Sequence, residues 1–141
     1  MTVAQWMTQH PGRAVTVPRE ASLDEVVERM LEGAGVRDVY VADGRTILGH
    51  ISQRKIAHLL LAEHRRKHTR RQIMDQIAGG AVQDLMDLHF ASARPDEELD
   101  NVVDRMLEHD IEDLPVLDAQ RQLVGTIRLT TVLQAAARQE L

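Results

Sequence analysis

The chain has 141 residues, a net charge of −5 and no cysteine, which excludes disulfides, thiolate nucleophiles and cysteine-based zinc sites and removes any general attraction to nucleic acid or an anionic membrane. Apolar residues make up 43% of it, enough for a globular core and too many for a disordered chain. Trp6, Tyr40 and Phe90 are its only Trp, Tyr and Phe residues, so the core is aliphatic and an aromatic platform for single-stranded nucleic acid is not expected.

A short helix from Val3 to Met7 opens the chain, without the basic start and apolar run of a signal peptide. An extended piece, Ala14 to Val17, leads to Ser22-Leu23-Asp24-Glu25, a capping box that starts a helix. Leu23, Val26, Val27, Met30 and Leu31 then form one apolar stripe at helical spacing, and Gly33 and Gly35 end it. Strands over Val39 to Val41 and Ile47 to Ile51 flank the hairpin turn Asp43-Gly44-Arg45, and a helix from Arg54 to about Ala62 closes the segment. The longest apolar run, around Ile56 to Ala62, is broken by His58 and too short to span a bilayer. A cytoplasmic protein without a membrane segment is expected.

A basic stretch follows, His64-Arg65-Arg66-Lys67-His68-Thr69-Arg70-Arg71, with a second capping box at Thr69 and Gln72 and an apolar edge at Ile73, Met74 and Ile77 before Gly79-Gly80. It reads as a structured connection that pairs with acidic residues of a partner. His64 and His68 are four apart, a spacing that a metal can use. With no cysteine in the chain and no acid within the run from His64 to Arg71, a solvated face is the better reading, and no metal is expected.

The second half then repeats the first. A short helix from Val82 to Met86 and an extended piece from Phe90 to Ala93 precede Pro95-Asp96. The helix Leu99-Asp100-Asn101-Val102-Val103-Asp104-Arg105-Met106-Leu107-Glu108 follows. It copies Leu23 to Glu32, 76 residues earlier, with only Glu25 and Glu28 changed, to Asn101 and Asp104. Strands Leu114 to Leu117 and Leu123 to Ile127, a turn from Asp118 to Gln122, and a helix from Thr131 to about Arg138 complete it. Such internal repetition fixes the architecture ahead of any local motif. The chain divides into units at 1–63 and 81–141 around the connection 64–80. Its fold class is α/β (α+β): two β-α-β-β-α units packed by a pseudo-two-fold axis.

The duplicated order of elements, the opening Met7-Thr8…Pro11, the strand Leu114-Pro115-Val116-Leu117-Asp118 and the Gly-x-Ile closing strands resemble a tandem pair of CBS (cystathionine β-synthase) domains, a Bateman module. The resemblance runs from about Val3 to Ala137. It implies clefts between two units that bind AMP, ADP, ATP or S-adenosylmethionine, and modules that pair into homodimers. The family's ligand pattern is Gly-x-Ile-(Ser or Thr)-x-x-Asp. Its hydroxyl and helix N-terminus receive phosphate, as free N–H groups and the helix dipole favour an anion there, and its Asp holds the ribose hydroxyls.

Carried over, the first copy is Gly49-His50-Ile51-Ser52-Gln53-Arg54-Lys55, with Lys55 at the ribose position. The second is Gly125-Thr126-Ile127-Arg128-Leu129-Thr130-Thr131, with Arg128 at the hydroxyl position and Thr131 at the ribose position. Both ribose acids are gone, and lysine cannot accept a hydrogen bond from a diol. Arg54, Lys55 and Arg128 instead suit an anionic ligand. The resemblance implies an adenine wall from Val17, Val39 and Val41 with Thr16 at the mouth, phosphate near Ser52, and Ser92, Pro115 and Val116 as the second cleft's counterparts.

Two functions stay open: a non-enzymatic sensor that binds an adenine nucleotide and signals to a protein partner, and a ligand-independent dimerisation scaffold with decayed sites. No nucleophile motif is present, and Glu97-Glu98 and Glu112-Asp113 read as a helix start and a solvated turn. His10 and His89 fall near the starts of the extended pieces, where the two could lie close together.

Overall fold

The computed structural model describes residues 1–33, 35–61 and 80–141. The helices among them are α1 (Val3–Gln9), α2 (Leu23–Leu31), α3 (Gln53–Leu61), α4 (Leu99–Glu108) and α5 (Leu129–Ala137); the strands are β1 (Thr16–Pro18), β2 (Asp38–Asp43), β3 (Thr46–Ser52), β4 (Asp113–Leu117) and β5 (Leu123–Arg128). The fold is mixed α+β. The basic run, His64, His68 and the Thr69–Gln72 box lie outside the described residues. No helix among the described residues is long and apolar enough to cross a membrane.

The chain forms two compact units, Val15–Phe90 and Met1–Ala14 with Ala91–Leu141. In the first, β1 pairs parallel with β2, and β2 antiparallel with β3. The hairpin turns on Gly44, whose φ of 63° is cheap only without a Cβ. Ser22 caps α2, its Oγ accepting the Glu25 amide at 3.2 Å. The helix buries Leu23, Val26 and Met30. Val17, Val39, Val41, Ile51, Ile56 and Val82 share that core. The expected short helix at 82–86 is a 3-10 turn over Val82–Asp84, held by the Val82 amide on the Ala21 carbonyl at 2.8 Å.

In the second unit β4 and β5 form an antiparallel pair, and α4 buries Leu99, Val102 and Met106. The expected extended piece from Phe90 to Ala93 contributes a single bridging residue, Ala93 against Val116. The reason lies just downstream. The Arg94 amide is taken by the Glu97 carboxylate at 2.7 Å, and Pro95 has no amide to give to a ladder. A reciprocal capping box, not anticipated from the sequence, starts α1 at Thr2 and Gln5.

The spatial grouping departs from the sequence division 1–63, 64–80 and 81–141 at the opening helices. α1 buries Val3 and Trp6 in the core of Ala93, Leu99, Met106, Leu114 and Ile127. Its first amides bond to the carbonyls of Glu97 and Pro95 at 2.9 Å. Val82 correspondingly packs in the core of the first unit. Each repeat's opening turn thus completes the other repeat's core. The apolar stripes are also only partly buried, for Leu31 is 62% and Leu107 61% exposed.

Glu97, read from sequence as part of a helix start, anchors this unit. Arg105 reaches both its carboxylate oxygens, at 3.1 and 3.2 Å, and the Ser92 carbonyl at 3.2 Å. Burial pushes the Glu97 carboxyl up, but the hydrogen bonds from Arg105 and the Arg94 amide, with their charges, hold it below its ordinary value. A depressed acid stabilises the fold above its unfolded pKa, about 4.3, and loses that contribution as pH falls through the lower folded value. Glu97→Gln should therefore cost about 1–2 kcal/mol at neutral pH. In thermal melts its deficit against the parent should shrink below pH 4. An equal deficit at pH 3 and pH 7 would remove the carboxylate as the cause.

Candidate functional site

The two copies of the Gly-x-Ile pattern run from the last strand into the last helix of each unit, and their chemistry differs. In the first unit Gly49 sits where a Cβ would lie 2.6 Å from the Asp87 carbonyl and 2.8 Å from Met86 Sδ. The glycine is there for close backbone approach: His50 and Asp87 exchange amide bonds at 2.8 and 3.0 Å. Ser52 Oγ accepts the Lys55 amide at 3.0 Å and so caps α3. Lys55 Nζ is bonded to Asp87 Oδ1 at 2.9 Å, and Arg54 is exposed.

Val17, Val39 and Val41, expected as an adenine wall, are at most 4% exposed and packed in the core. The Thr16 carbonyl lies 3.5 Å from Arg29 Nη2. Tyr40 edges onto Phe90 at 5.7 Å and stacks near His50 at 6.1 Å, while His50 Nδ1 is 3.0 Å from Asp38 Oδ1.

In the second unit Gly125 lies under Met7, with a Cβ position 2.6 Å from its Sδ. Thr126 is buried, and its hydroxyl donates to the Leu114 carbonyl at 3.0 Å. Arg128 Nε donates to Asp113 Oδ1 at 2.7 Å, so Asp113 is an ion-pair partner and not a free turn residue. Among the described residues, no side chain caps α5; the Leu129 amide is taken by the Glu112 carbonyl at 2.8 Å, and the helix-start amides after it have no side-chain cap for an anion to displace. Pro115 and Val116 are buried in β4, and Ser92 is half-buried.

Beside this helix start is a cavity of about 260 Å³ lined by Trp6, His10, Pro11, Gly12, Thr126, Arg128 and Thr131. Trp6 and His10 stack at 3.9 Å with planes 22° apart, and His10 Nδ1 is buried without a hydrogen-bond partner among the described residues. The structure thus brings Arg128 and Thr131 together, as the pattern implies. It adds Trp6, His10, Pro11 and Gly12, which lie outside the pattern, and Thr126, which fills the pattern's unspecified position. Pro11, in the opening Met7-Thr8…Pro11, and His10 were the residues of this segment that the sequence singled out. No group of three or more His, Asp or Glu among the described residues is placed to hold a metal.

A family model described as CBS domain matches residues 3–62 and 82–138. The structure of CBSX2 in complex with AMP is similar at 25% identity, covering 99% of this chain and 98% of that one with a TM-score of 0.73. A CBS-domain protein from Burkholderia ambifaria MC40-6 aligns at 23% identity over 100% and 97% of the two chains, TM-score 0.73. The acetoin utilization protein AcuB from Vibrio cholerae aligns at 22% over 99% and 92%, TM-score 0.74. No curated protein matches the chain.

Proposed function

Since the chain belongs to the CBS domain family, with two repeats filling most of its length, we propose that it is a non-enzymatic regulatory module that binds an adenine mononucleotide in the cavity beside α5 and signals to a protein partner. The observation that carries this reading is the uncapped start of α5 next to Arg128. The Arg128 guanidinium spends Nε on Asp113 and keeps four further N–H donors for phosphate oxygens. Thr131 offers a hydroxyl where the family has its ribose acid, and Thr126, Pro11 and Gly12 supply the remaining wall. The volume, about 260 Å³, lies just under the usual range for small-molecule pockets, about 300–1,000 Å³, which favours a mononucleotide over a dinucleotide. CBSX2, a relative of this length, is the complex with AMP. We place the protein in the cytoplasm.

Thermal-shift titration with AMP, ADP, ATP and S-adenosylmethionine tests the proposal. A ligand at a hundred times its dissociation constant adds roughly 2.7 kcal/mol of stability. Arg128→Gln, at a side chain 43% exposed, should leave the unliganded melt nearly unchanged and weaken a phosphate-bearing ligand by about tenfold or more, the worth of a charge-assisted hydrogen bond. No shift with any of the four at millimolar concentration refutes the nucleotide reading.

A second reading, a scaffold that works by association, is favoured by the twin exposed leucines. Leu31 and Leu107 occupy the same position in the duplicated helices and are exposed to almost the same degree, 62% and 61%. In each unit a partner, a second copy of the chain included, would bury the same apolar spot.

A further inference from the structure

We infer that the module takes one ligand per chain, because the first repeat fills its own ligand position with protein atoms; this rests on the reading of the second repeat's cavity as the nucleotide site. Two side chains by which the first copy could hold a nucleotide, Ser52 and Lys55, are already engaged, and Arg54 beside them is exposed. Ser52 Oγ accepts the Lys55 amide at 3.0 Å, the kind of helix-start N–H that an incoming phosphate uses. The Lys55 ammonium, standing where the family pattern has its ribose acid, is bonded to Asp87 at 2.9 Å. The Asp87 side chain is 49% exposed, but it stands on a fixed stretch of backbone. Its backbone is locked to His50 by two amide bonds, at 2.8 and 3.0 Å, and the absent Cβ of Gly49 lets it come that close. An anion approaching Lys55 meets the Asp87 carboxylate already paired with it.

The second repeat replaces each of these groups by one of different chemistry. Arg128 stands for Ser52, opposite Asp113 in β4 as Ser52 is opposite Asp38 in β2. Thr131 stands for Lys55 and carries no charge to be neutralised. Thr8 follows Met7 as Asp87 follows Met86, and its hydroxyl is turned back to the Ala4 carbonyl of its own helix at 3.0 Å. No internal ion pair can form between Thr8 and Thr131, and Thr131 lines the open cavity. The repeat has been kept as architecture while its two ligand positions have diverged, one self-satisfied and one open.

Counting ligands and locating them are separate measurements here, which makes the inference decidable on the intact chain. Isothermal titration calorimetry with AMP and with ATP counts every site. Fluorescence of Trp6, the sole tryptophan, reports the cavity that it lines. One ligand per chain is expected by calorimetry, with the fluorescence change saturating at the same equivalence. Ser52→Ala and Lys55→Ala should leave affinity and stoichiometry unchanged, with circular dichroism confirming that both are folded, whereas Arg128→Gln should weaken binding about tenfold or more. Two ligands per chain in the parent overturn the inference alone. So does a single ligand that leaves Trp6 silent and is lost in Lys55→Ala. Absence of heat and of any fluorescence change with both nucleotides overturns the nucleotide reading and this inference together.

Discussion

Replacing Trp6 by alanine should cost about 3–5 kcal/mol, the usual price of removing a large aromatic side chain from a packed core. Trp6 is 1% exposed and is the largest side chain in the core of the second unit, with Val3, Leu99, Val102, Met106 and Ile127 in the same cluster. A domain of this size holds about 5–15 kcal/mol in total, so the variant will stand close to its unfolding threshold. Urea unfolding of the full chain, followed by circular dichroism, measures the loss. A cost under about 1 kcal/mol would mean that α1 is not part of that core. His10 loses its stacking partner in the same variant, so any nucleotide affinity should fall with stability.

The two pattern glycines should respond unequally to alanine. At Gly49 the new methyl meets the Asp87 carbonyl oxygen at 2.6 Å and Met86 Sδ at 2.8 Å. That carbonyl accepts the His50 amide and cannot retreat without breaking the bond, so Gly49→Ala should cost about 1–3 kcal/mol by overpacking. At Gly125 the close neighbour is Met7 Sδ at 2.6 Å, and the next atoms are 3.7 and 3.8 Å away. A thioether has rotatable bonds with which to move aside, so Gly125→Ala should cost less than half as much. Melting both variants beside the parent gives the order; a larger loss at Gly125 would show that Met7 is held as rigidly as the Asp87 backbone.

The sequence displayed the elements well because each had a physical period behind it. The stripes of α2 and α4 recur at helical spacing, and the hairpin at Gly44 needs the positive φ that Asp-Gly announces. What it did not display was where the opening helices pack. Met7 and Met86 carry the same local signal, and nothing in α1 itself records that its burial partners are Leu99, Met106 and Ile127. The site was legible to the same extent. Arg128 and Thr131 stand at pattern positions and do line the cavity. Trp6, His10, Pro11 and Gly12 come from that exchanged opening segment, and the pattern, which begins at the last strand, does not contain them. Asp87 and Asp113 were invisible as ion-pair partners because their cations, Lys55 and Arg128, lie 32 and 15 residues away along the chain. The adenine wall went the other way: Val17, Val39 and Val41 were given to a ligand and belong to the core.

The exchange of opening helices also sets an order of events at the ribosome. Synthesis runs at roughly 5–20 residues per second, and domains tend to fold as units when their last residue emerges. The unit spanning Val15–Phe90 is contiguous and can condense while the rest is still being made. Residues Met1–Ala14 belong with Ala91–Leu141, so the earlier segment has no core to join until residues 91–141 have been made. For those seconds Val3 and Trp6 are bare apolar side chains on a nascent chain, a target for chaperones or for the same segment of a neighbouring copy. The complete capping box at Thr2 and Gln5 is suited to that interval, since it favours a helical turn before any tertiary contact exists. The segment Met1–Ala14 is made before the unit Val15–Phe90 and finds its place after it.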